Sequence, residues 1–352
     1  MARLLTVAML AFSLTLAACG QAAPSPPVAA TGSVVTSLAP ATAVAPSAPS
    51  VSTSAPASAA PGPASGAAAG IARIVVARSA IRLPSARSRA VALALGSTIF
   101  VTGGLTTTGA TSGGIIKVDP GSGIVSRAGT LAFPVHDAGG AVEHGAAFIF
   151  GGGRVAPGAI VERVSALGVG RAVGALPAAR ADLAAVSIDG EMMIVGGGTP
   201  ARADVRVLGT TDGVHFRTVA KLIVGVRYPA VAVVDGTVYV VGGSTPAGDS
   251  RVIQSVDPRT GIVRIVGHLA VGLSHAAALV VGSAFLIAGG RTAGRAMDAL
   301  WRFDPATARL TRIGRLPYAV SDAAVAVVDG VGYLIGGEDR RPLASIIVIE
   351  AD

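Results

Sequence analysis

The chain has 352 residues, of which 51% are apolar, 4% are aromatic and 47 are glycine. This small-residue composition is typical of short strands and turns, and no long amphipathic helical pattern accompanies it. The net charge is +8, but the arginines are spread along the sequence without a long basic run, and aromatic residues for base stacking are scarce. These features argue against a nucleic-acid-binding protein, and we expect no nucleic-acid partner.

Residues 1–18 predict a secretion signal. Arg3 is followed by an apolar stretch from Leu4 to Ala18, which is shorter than the ~20 residues that span a membrane. The sequence Leu-Ala-Ala-Cys-Gly at residues 16–20 resembles the lipobox of bacterial lipoproteins. That resemblance implies that Cys19, the only cysteine, is acylated and anchors the protein to a membrane of the bacterial cell envelope, facing outside the cytoplasm. An ordinary cleaved signal without lipid is the alternative.

Residues 19–70 predict a disordered tether. The segment consists mostly of Ala, Pro, Ser, Thr, Gly and Val, and it has no charged residue between Gly20 and Ile71. Such a composition buries too little side chain to offset the entropy of ordering. We expect the tether to hold the folded part, residues 71–352, away from the membrane surface.

A Gly-Gly doublet follows a short apolar run six times in residues 71–352. The first glycines of the doublets are 48, 45, 46, 47 and 47 residues apart, at positions Gly103, Gly151, Gly196, Gly242, Gly289 and Gly336. A leucine precedes each first glycine by 20 residues in all six copies. A repeat of this period indicates a propeller or a solenoid, with one structural unit per copy.

Two apolar segments joined by a two-residue turn lie between each leucine and its doublet. The turns are Gly96-Ser97, His144-Gly145, Asp189-Gly190, Asp235-Gly236, Gly282-Ser283 and Asp329-Gly330. Asp-Gly between apolar runs is a strong β-hairpin signal, because both central residues of that turn take positive φ. Each repeat therefore begins with a hairpin of fixed length.

The rest of each repeat predicts two further strands. Val252–Val256 and Ala299–Phe303 are examples of the third strand, and an Asp-Pro turn then leads into the fourth in several copies. The fifteen residues after Gly337 suffice for a third strand at Ser345–Glu350 but not for a fourth. We expect Ala72–Ala77 to supply the missing strand and thereby close the ring.

The doublet after an apolar strand, the leucine lead-in and the Asp-Pro turn resemble Kelch repeats. The resemblance covers residues 71–352 and implies an all-β, six-bladed Kelch-type β-propeller whose N-terminal strand completes the last blade. Two departures concern outer-strand packing. The only tryptophan, Trp301, lies in a third strand rather than a fourth, and the second repeat lacks the Asp-Pro turn.

Counting from the leucines places polar residues at the mouth of the central channel. The sixth residue after each leucine opens the innermost strand, and this column reads Arg89, Asp137, Asp182, Tyr228, His275 and Asp322. The column before it adds His136 and Arg227. Because nearly all other inner-strand positions are Ala, Val, Leu or Gly, we predict a ligand-binding site at these eight residues. A propeller channel also carries polar residues without any ligand, so that interpretation stays open.

The same residues set the alternatives for function. Galactose oxidase shares the Kelch architecture, but its copper radical site needs a cysteine cross-linked to tyrosine, and Cys19 lies in the lipobox. No serine nucleophile motif or phosphate loop is present, and the histidines and carboxylates lack close metal-ligand spacing, so we expect no cofactor and no metal. We predict a monomeric module that binds a protein or carbohydrate ligand. The alternative is a sugar-acting enzyme similar to the bacterial Kelch sialic acid mutarotases, with Arg89 and Arg227 binding a sugar carboxylate.

Overall fold

The structure, a computed structural model, describes residues 73–352. These residues form thirty β-strands in antiparallel sheets. Within this range no helix is long and apolar enough to cross a membrane. The predicted signal segment, Cys19 and the predicted tether lie outside the described residues.

Six blades of four main strands make up the fold. The N-terminal strand is β1 (Ile74–Arg87). Blade 1 contains β2 (Val91–Leu95), β3 (Thr98–Thr102), β4 (Gly114–Val118) and β5 (Val125–Thr130). Blade 2 contains β6 (Gly139–Glu143), β7 (Ala146–Phe150), β8 (Ile160–Val164) and β9 (Gly170–Ala175). Blade 3 contains β10 (Ala181–Ile188), β11 (Glu191–Thr199), the short β12 (Arg202–Ala203), β13 (Arg206–Thr210) and β14 (Arg217–Lys221).

The remaining blades follow the same order. Blade 4 contains β15 (Ala230–Val234), β16 (Thr237–Val241), the short pair β17 (Ser244–Thr245) and β18 (Gly248–Asp249), β19 (Val252–Val256) and β20 (Val263–His268). Blade 5 contains β21 (Ala277–Val281), β22 (Ala284–Ala288), the short pair β23 (Arg291–Thr292) and β24 (Arg295–Ala296), β25 (Ala299–Asp304) and β26 (Arg309–Arg315). Blade 6 contains β27 (Ala324–Val328), β28 (Val331–Ile335), the short β29 (Glu338–Asp339) and β30 (Arg341–Ala351). The predicted six-bladed β-propeller is confirmed.

The two ends of the described chain meet in blade 6. Strand β1 pairs with β30 in antiparallel register, from Ile74 opposite Ala351 to Arg87 opposite Leu343, with two irregularities. The predicted closure by an N-terminal strand is therefore confirmed, although that strand runs on well past Ala77. Strand β1 is thus the outermost strand of the blade that begins with β27, and its pairing with β30 joins the two ends of the described chain.

The hydrophobic core lies between neighbouring blades, in six clusters of buried side chains. One of them joins blade 6 to blade 1 through Val328 and Ile99, which closes the circle. The leucine that precedes each doublet is 2–5% exposed in every repeat, at Leu83, Leu131, Leu176, Leu222, Leu269 and Leu316. Burying one leucine stabilises the fold by ~2 kcal/mol, which explains the fixed spacing of these residues.

The Gly-Gly doublets hold the link to the next blade. In blade 4 the N–H of Gly243 donates to the carbonyl of Leu273 at 2.8 Å, and a Cβ on Gly242 would overlap that same oxygen. Both glycines have positive φ, at 60° and 96°. The doublet is thus required by a close approach of two backbones, and it carries no ligand chemistry of its own.

Candidate ligand site at the mouth of the channel

Six residues form a closed ring at one end of the central channel, which we call the mouth ring. They are the predicted column Arg89, Asp137, Asp182, Tyr228, His275 and Asp322. The N–H of each donates to the carbonyl of the ring residue in the preceding blade, over 2.7–3.2 Å, and Arg89 closes the circle by donating to Asp322. All six have backbone φ angles between 53° and 63°, which residues other than glycine seldom adopt. A strained conformation repeated in every blade indicates that the ring geometry is set by the fold as a whole.

Arg89 is the cation at the centre of the ring. Its Nη1 donates to Asp137 Oδ2 at 3.2 Å and to the Tyr228 hydroxyl at 3.4 Å. Its Nε is 3.7 Å from Asp322 Oδ1, and its Nη2 is 3.8 Å from Glu338 Oε1. Burial alone would lower the pKa of Arg89, but the charges of Asp137 and Asp322 raise it, so the guanidinium stays charged.

Asp322 is held by donors from two sides. His275 Nδ1 lies 2.6 Å from Asp322 Oδ1, and Arg291 Nη2 lies 3.0 Å from Oδ2. The hydroxyl of Ser321 also donates to Oδ2 at 2.8 Å. Burial would raise the pKa of the Asp322 carboxyl, but the His275 hydrogen bond and the charges of His275, Arg89 and Arg291 bring it below its usual value. Asp322 is therefore an ionised carboxylate at neutral pH.

The opposite side of the ring combines an ion pair with an aromatic stack. The Arg227 guanidinium donates through two nitrogens to Asp182 Oδ2. The rings of Tyr228 and His275 stack with centroids 3.7 Å apart, and Arg227 and Arg89 lie 5.5 and 5.7 Å from the Tyr228 centroid. Burial and the nearby charges of Asp137 and Asp182 raise the pKa of Tyr228, so its hydroxyl keeps its proton.

Asp137 is the ring carboxylate that burial shifts toward its protonated form. Arg89 is its one close cation, and His136 Nε2 is 3.7 Å from Oδ2. Burial raises the pKa of the Asp137 carboxyl to about 7, and Arg89 offsets only part of that rise. His136 contributes little positive charge, because burial and the charge of Arg89 lower its pKa. Its Nδ1 instead forms a hydrogen bond with the Thr111 hydroxyl at 2.9 Å.

Two residues of this network are missing from the sequence-based prediction. Arg291 and Glu338 each follow a Gly-Gly doublet, and their charged groups form an ion pair. They are bridged to Ser274 and Ser321, which precede the ring residues His275 and Asp322. Counting one position past each doublet would have found them. With these two residues, three guanidinium groups face four carboxyl groups at the mouth.

The channel below the mouth ring is apolar. The cavity formed by the channel and the mouth ring together has a volume of about 630 Å³, within the range of small-molecule sites. Outside the ring, Ser187 is the only polar side chain among the lining residues, and its hydroxyl donates to the carbonyl of Val142 at 2.7 Å. Within residues 73–352, no three His, Cys, Asp or Glu side chains are grouped so as to hold a metal ion. The groups at the mouth offer hydrogen bonding and charge pairing at the end of a cavity lined by apolar side chains.

Residues 226–269 match the family model of the Kelch motif. The match starts in the link before blade 4, includes all four main strands of that blade and ends at the buried Leu269. A search of curated proteins found no match to the chain. The match covers one of the six blades, and the fold of the described residues is a six-bladed propeller of the Kelch type.

Proposed function

We propose that the protein is a lipid-anchored, extracytoplasmic binding module that engages a protein or carbohydrate ligand at the face bearing the mouth ring. The observation that carries this proposal is the convergence of all eight predicted residues, with Arg291 and Glu338, on one half-buried polar network. Polar groups that converge at the end of an apolar cavity are the usual composition of a ligand site.

The variable loops support the choice of this face. The segments that follow the Gly-Gly doublets differ in length between blades, whereas the hairpins before the doublets do not. These segments flank the mouth ring, because residues directly after the doublets bridge to residues directly before the ring, such as Ser244 to Arg227. Loops that vary on a constant scaffold are where binding specificity concentrates.

The mutarotase alternative requires free arginines for a sugar carboxylate. Arg89 and Arg227 are instead engaged by Asp137 and Asp182. A sugar carboxylate would have to displace an internal carboxylate from each guanidinium, and this favours binding without sugar chemistry. Thermal-shift measurements with acidic sugars test the binding step that the alternative needs: no shift, or a shift that Arg89→Ala and Arg227→Ala leave unaltered, would refute it.

A photo-cross-linking experiment in the producing cells tests the binding face. A cross-linking residue at Thr107 probes the mouth-face loop of blade 1, and one at Ser97 probes the hairpin turn of the same blade; both positions are exposed. We expect adducts from Thr107 and none from Ser97. Adducts from Ser97 alone would overturn the proposed face.

Labelling with a palmitate analogue tests the anchor separately. The wild-type chain is expected to incorporate the label, and Cys19→Ala is expected to lose it. Equal labelling of the two chains would refute acylation at Cys19, whatever the outcome for the binding face.

A further inference from the structure

The outermost strands of the six blades carry charges of one sign. Strands β1, β5, β9, β14, β20 and β26 contain eleven Arg and Lys residues and no Asp or Glu. The whole chain has 28 basic and 20 acidic residues, so the acidic residues are absent from these strands in particular. All of these basic residues except Arg87 are exposed.

Protection of sheet edges does not account for this bias. The outermost strands are edges with unpaired backbone groups, and a charged side chain of either sign discourages pairing with another molecule. Edge protection therefore explains why charges occur in these strands, but it does not explain why every one of them is positive. An excess of positive charge on an exposed surface attracts a polyanion.

The positive charge is densest on two neighbouring blades. Strand β26 of blade 5 presents Arg309, Arg312 and Arg315, and strand β1 of blade 6 presents Arg78 and Arg82. We call these five residues the basic rim patch. Arg312 and Arg315 share the carboxylate of Asp298, at 4.0 and 2.7 Å, while the other three make no ion pair within the described residues.

The patch lies on the side where the chain enters the propeller. Strand β1 is the outermost strand of blade 6, and it is continuous with the segment that leads back to Cys19. An anchor at Cys19 would keep the propeller near a membrane, and the predicted tether of about fifty residues would still let its surface reach the lipid headgroups. We propose that the basic rim patch docks on the anionic headgroups of that membrane and thereby orients the mouth ring. That this membrane is the one the patch meets rests on the proposed anchor at Cys19. The affinity of the patch for anionic lipid does not depend on the anchor.

The composition of the strands fits a lipid surface better than a nucleic acid. The six outermost strands contain no aromatic residue on which a base could stack. Two exposed aliphatic side chains accompany the arginines instead, Val75 in β1 and Ile313 in β26, each 39% exposed. Basic residues with interspersed aliphatic ones are typical of surfaces that bind the membrane interface.

Vesicle flotation tests the proposal without the lipid anchor. The chain from Gly20 to Asp352 keeps every described residue and lacks both the signal segment and Cys19. We expect it to float with vesicles of phosphatidylcholine and phosphatidylglycerol, not with phosphatidylcholine alone, and to be released at high salt. Each basic residue near an anionic surface contributes roughly fivefold to partitioning, so R78Q/R82Q/R309Q should weaken binding by about 100-fold.

The matched control removes the same charge from the mouth face. R154Q/R202Q/R295Q replaces three exposed arginines that also make no ion pair within the described residues. Its binding should fall far less than that of the rim variant, and thermal unfolding should show that both variants fold. Equal loss in the two variants, or equal binding to both vesicle types, would overturn the proposal. Binding to duplex DNA without binding to anionic vesicles would overturn it in favour of a nucleic-acid partner.

Discussion

Arg89 and Tyr228 belong to blades 1 and 4, on opposite sides of the mouth ring, and their side chains meet. Arg89 Nη1 lies 3.4 Å from the Tyr228 hydroxyl, and the guanidinium carbon lies 5.7 Å from the Tyr228 ring centroid. This contact spans the end of the channel. The side chains at the mouth therefore contact one another across the channel, and the position of each depends on its neighbours.

Replacing Arg89 should leave the carboxyl groups around it without their shared cation. We expect Arg89→Gln to lower the free energy of unfolding by about 2–3 kcal/mol, somewhat less than for a fully buried pair because the Arg89 side chain is 21% exposed. Urea unfolding at neutral pH measures the loss. Arg154→Gln, an exposed arginine on the same face, should change stability by no more than about 0.5 kcal/mol. Equal effects of the two substitutions would refute the central role of Arg89.

Asp137 should make the folded protein less stable as the pH rises. The pKa of its carboxyl is about 7 in the folded protein against 3.8 ordinarily, so the folded state binds more protons between pH 4 and 7. The free energy of unfolding therefore falls through that window, by at most about 4 kcal/mol from this group. Asp137→Asn should remove this dependence and stabilise the protein at pH 8 relative to the wild type.

Asp322 should have the opposite effect on the pH dependence of stability. The pKa of the Asp322 carboxyl is lowered in the folded protein, so its stabilising contribution is present above pH 4 and is lost as the pH falls further. Asp322→Asn should thus destabilise the protein at neutral pH and flatten the acid limb of the stability profile. Chemical denaturation across the pH range distinguishes the two carboxyl groups, and identical profiles for the two variants would contradict both assignments.

The positive φ of the mouth-ring residues predicts that His275 tolerates replacement by Asn better than replacement by Val. His275→Asn and His275→Val both remove the imidazole and its contact with Asp322. Asn adopts positive φ readily, whereas a β-branched side chain at φ 55° costs roughly 1–2 kcal/mol more. The Val variant should be the less stable of the two. At Arg295 in β24, which has no positive φ, the order should reverse because Val favours strands.

The sequence predicted the positions of the site residues better than it predicted the contacts between their side chains. Hairpin lengths, ring closure and the ring positions follow from counting, because the Gly-Gly approach and the buried leucines fix one register in every blade. Pairings such as Arg89 with Tyr228 depend on the rotamers of side chains that face each other across the channel. The spacing of residues in the sequence does not determine these rotamers. Arg291 and Glu338 were missed because the count stopped at the ring. The ligand-binding role of the mouth residues stays a prediction.

Blades 2 and 4 have different buried polar residues at the same position of the third strand, Glu162 and Gln254. In β8 the buried carboxylate of Glu162 accepts from the N–H groups of Ala132 and Phe133, both at 2.8 Å. In β19 the amide of Gln254 accepts from the Val224 N–H at 3.0 Å and donates to the Val224 carbonyl at 2.9 Å. Each side chain matches the link that it faces, so the two are not interchangeable.

Exchanging these side chains should therefore destabilise the fold in both directions. Glu162→Gln turns an amide N–H₂ toward a backbone N–H, and Gln254→Glu turns a carboxylate oxygen toward the Val224 carbonyl. Each mismatch leaves a buried polar group without its partner, at a cost of about 1–3 kcal/mol in the free energy of unfolding. Because the substitutions hardly change side-chain volume, packing does not contribute to the difference. A neutral effect of either exchange, measured by urea unfolding, would show that these contacts do not hold the links between blades.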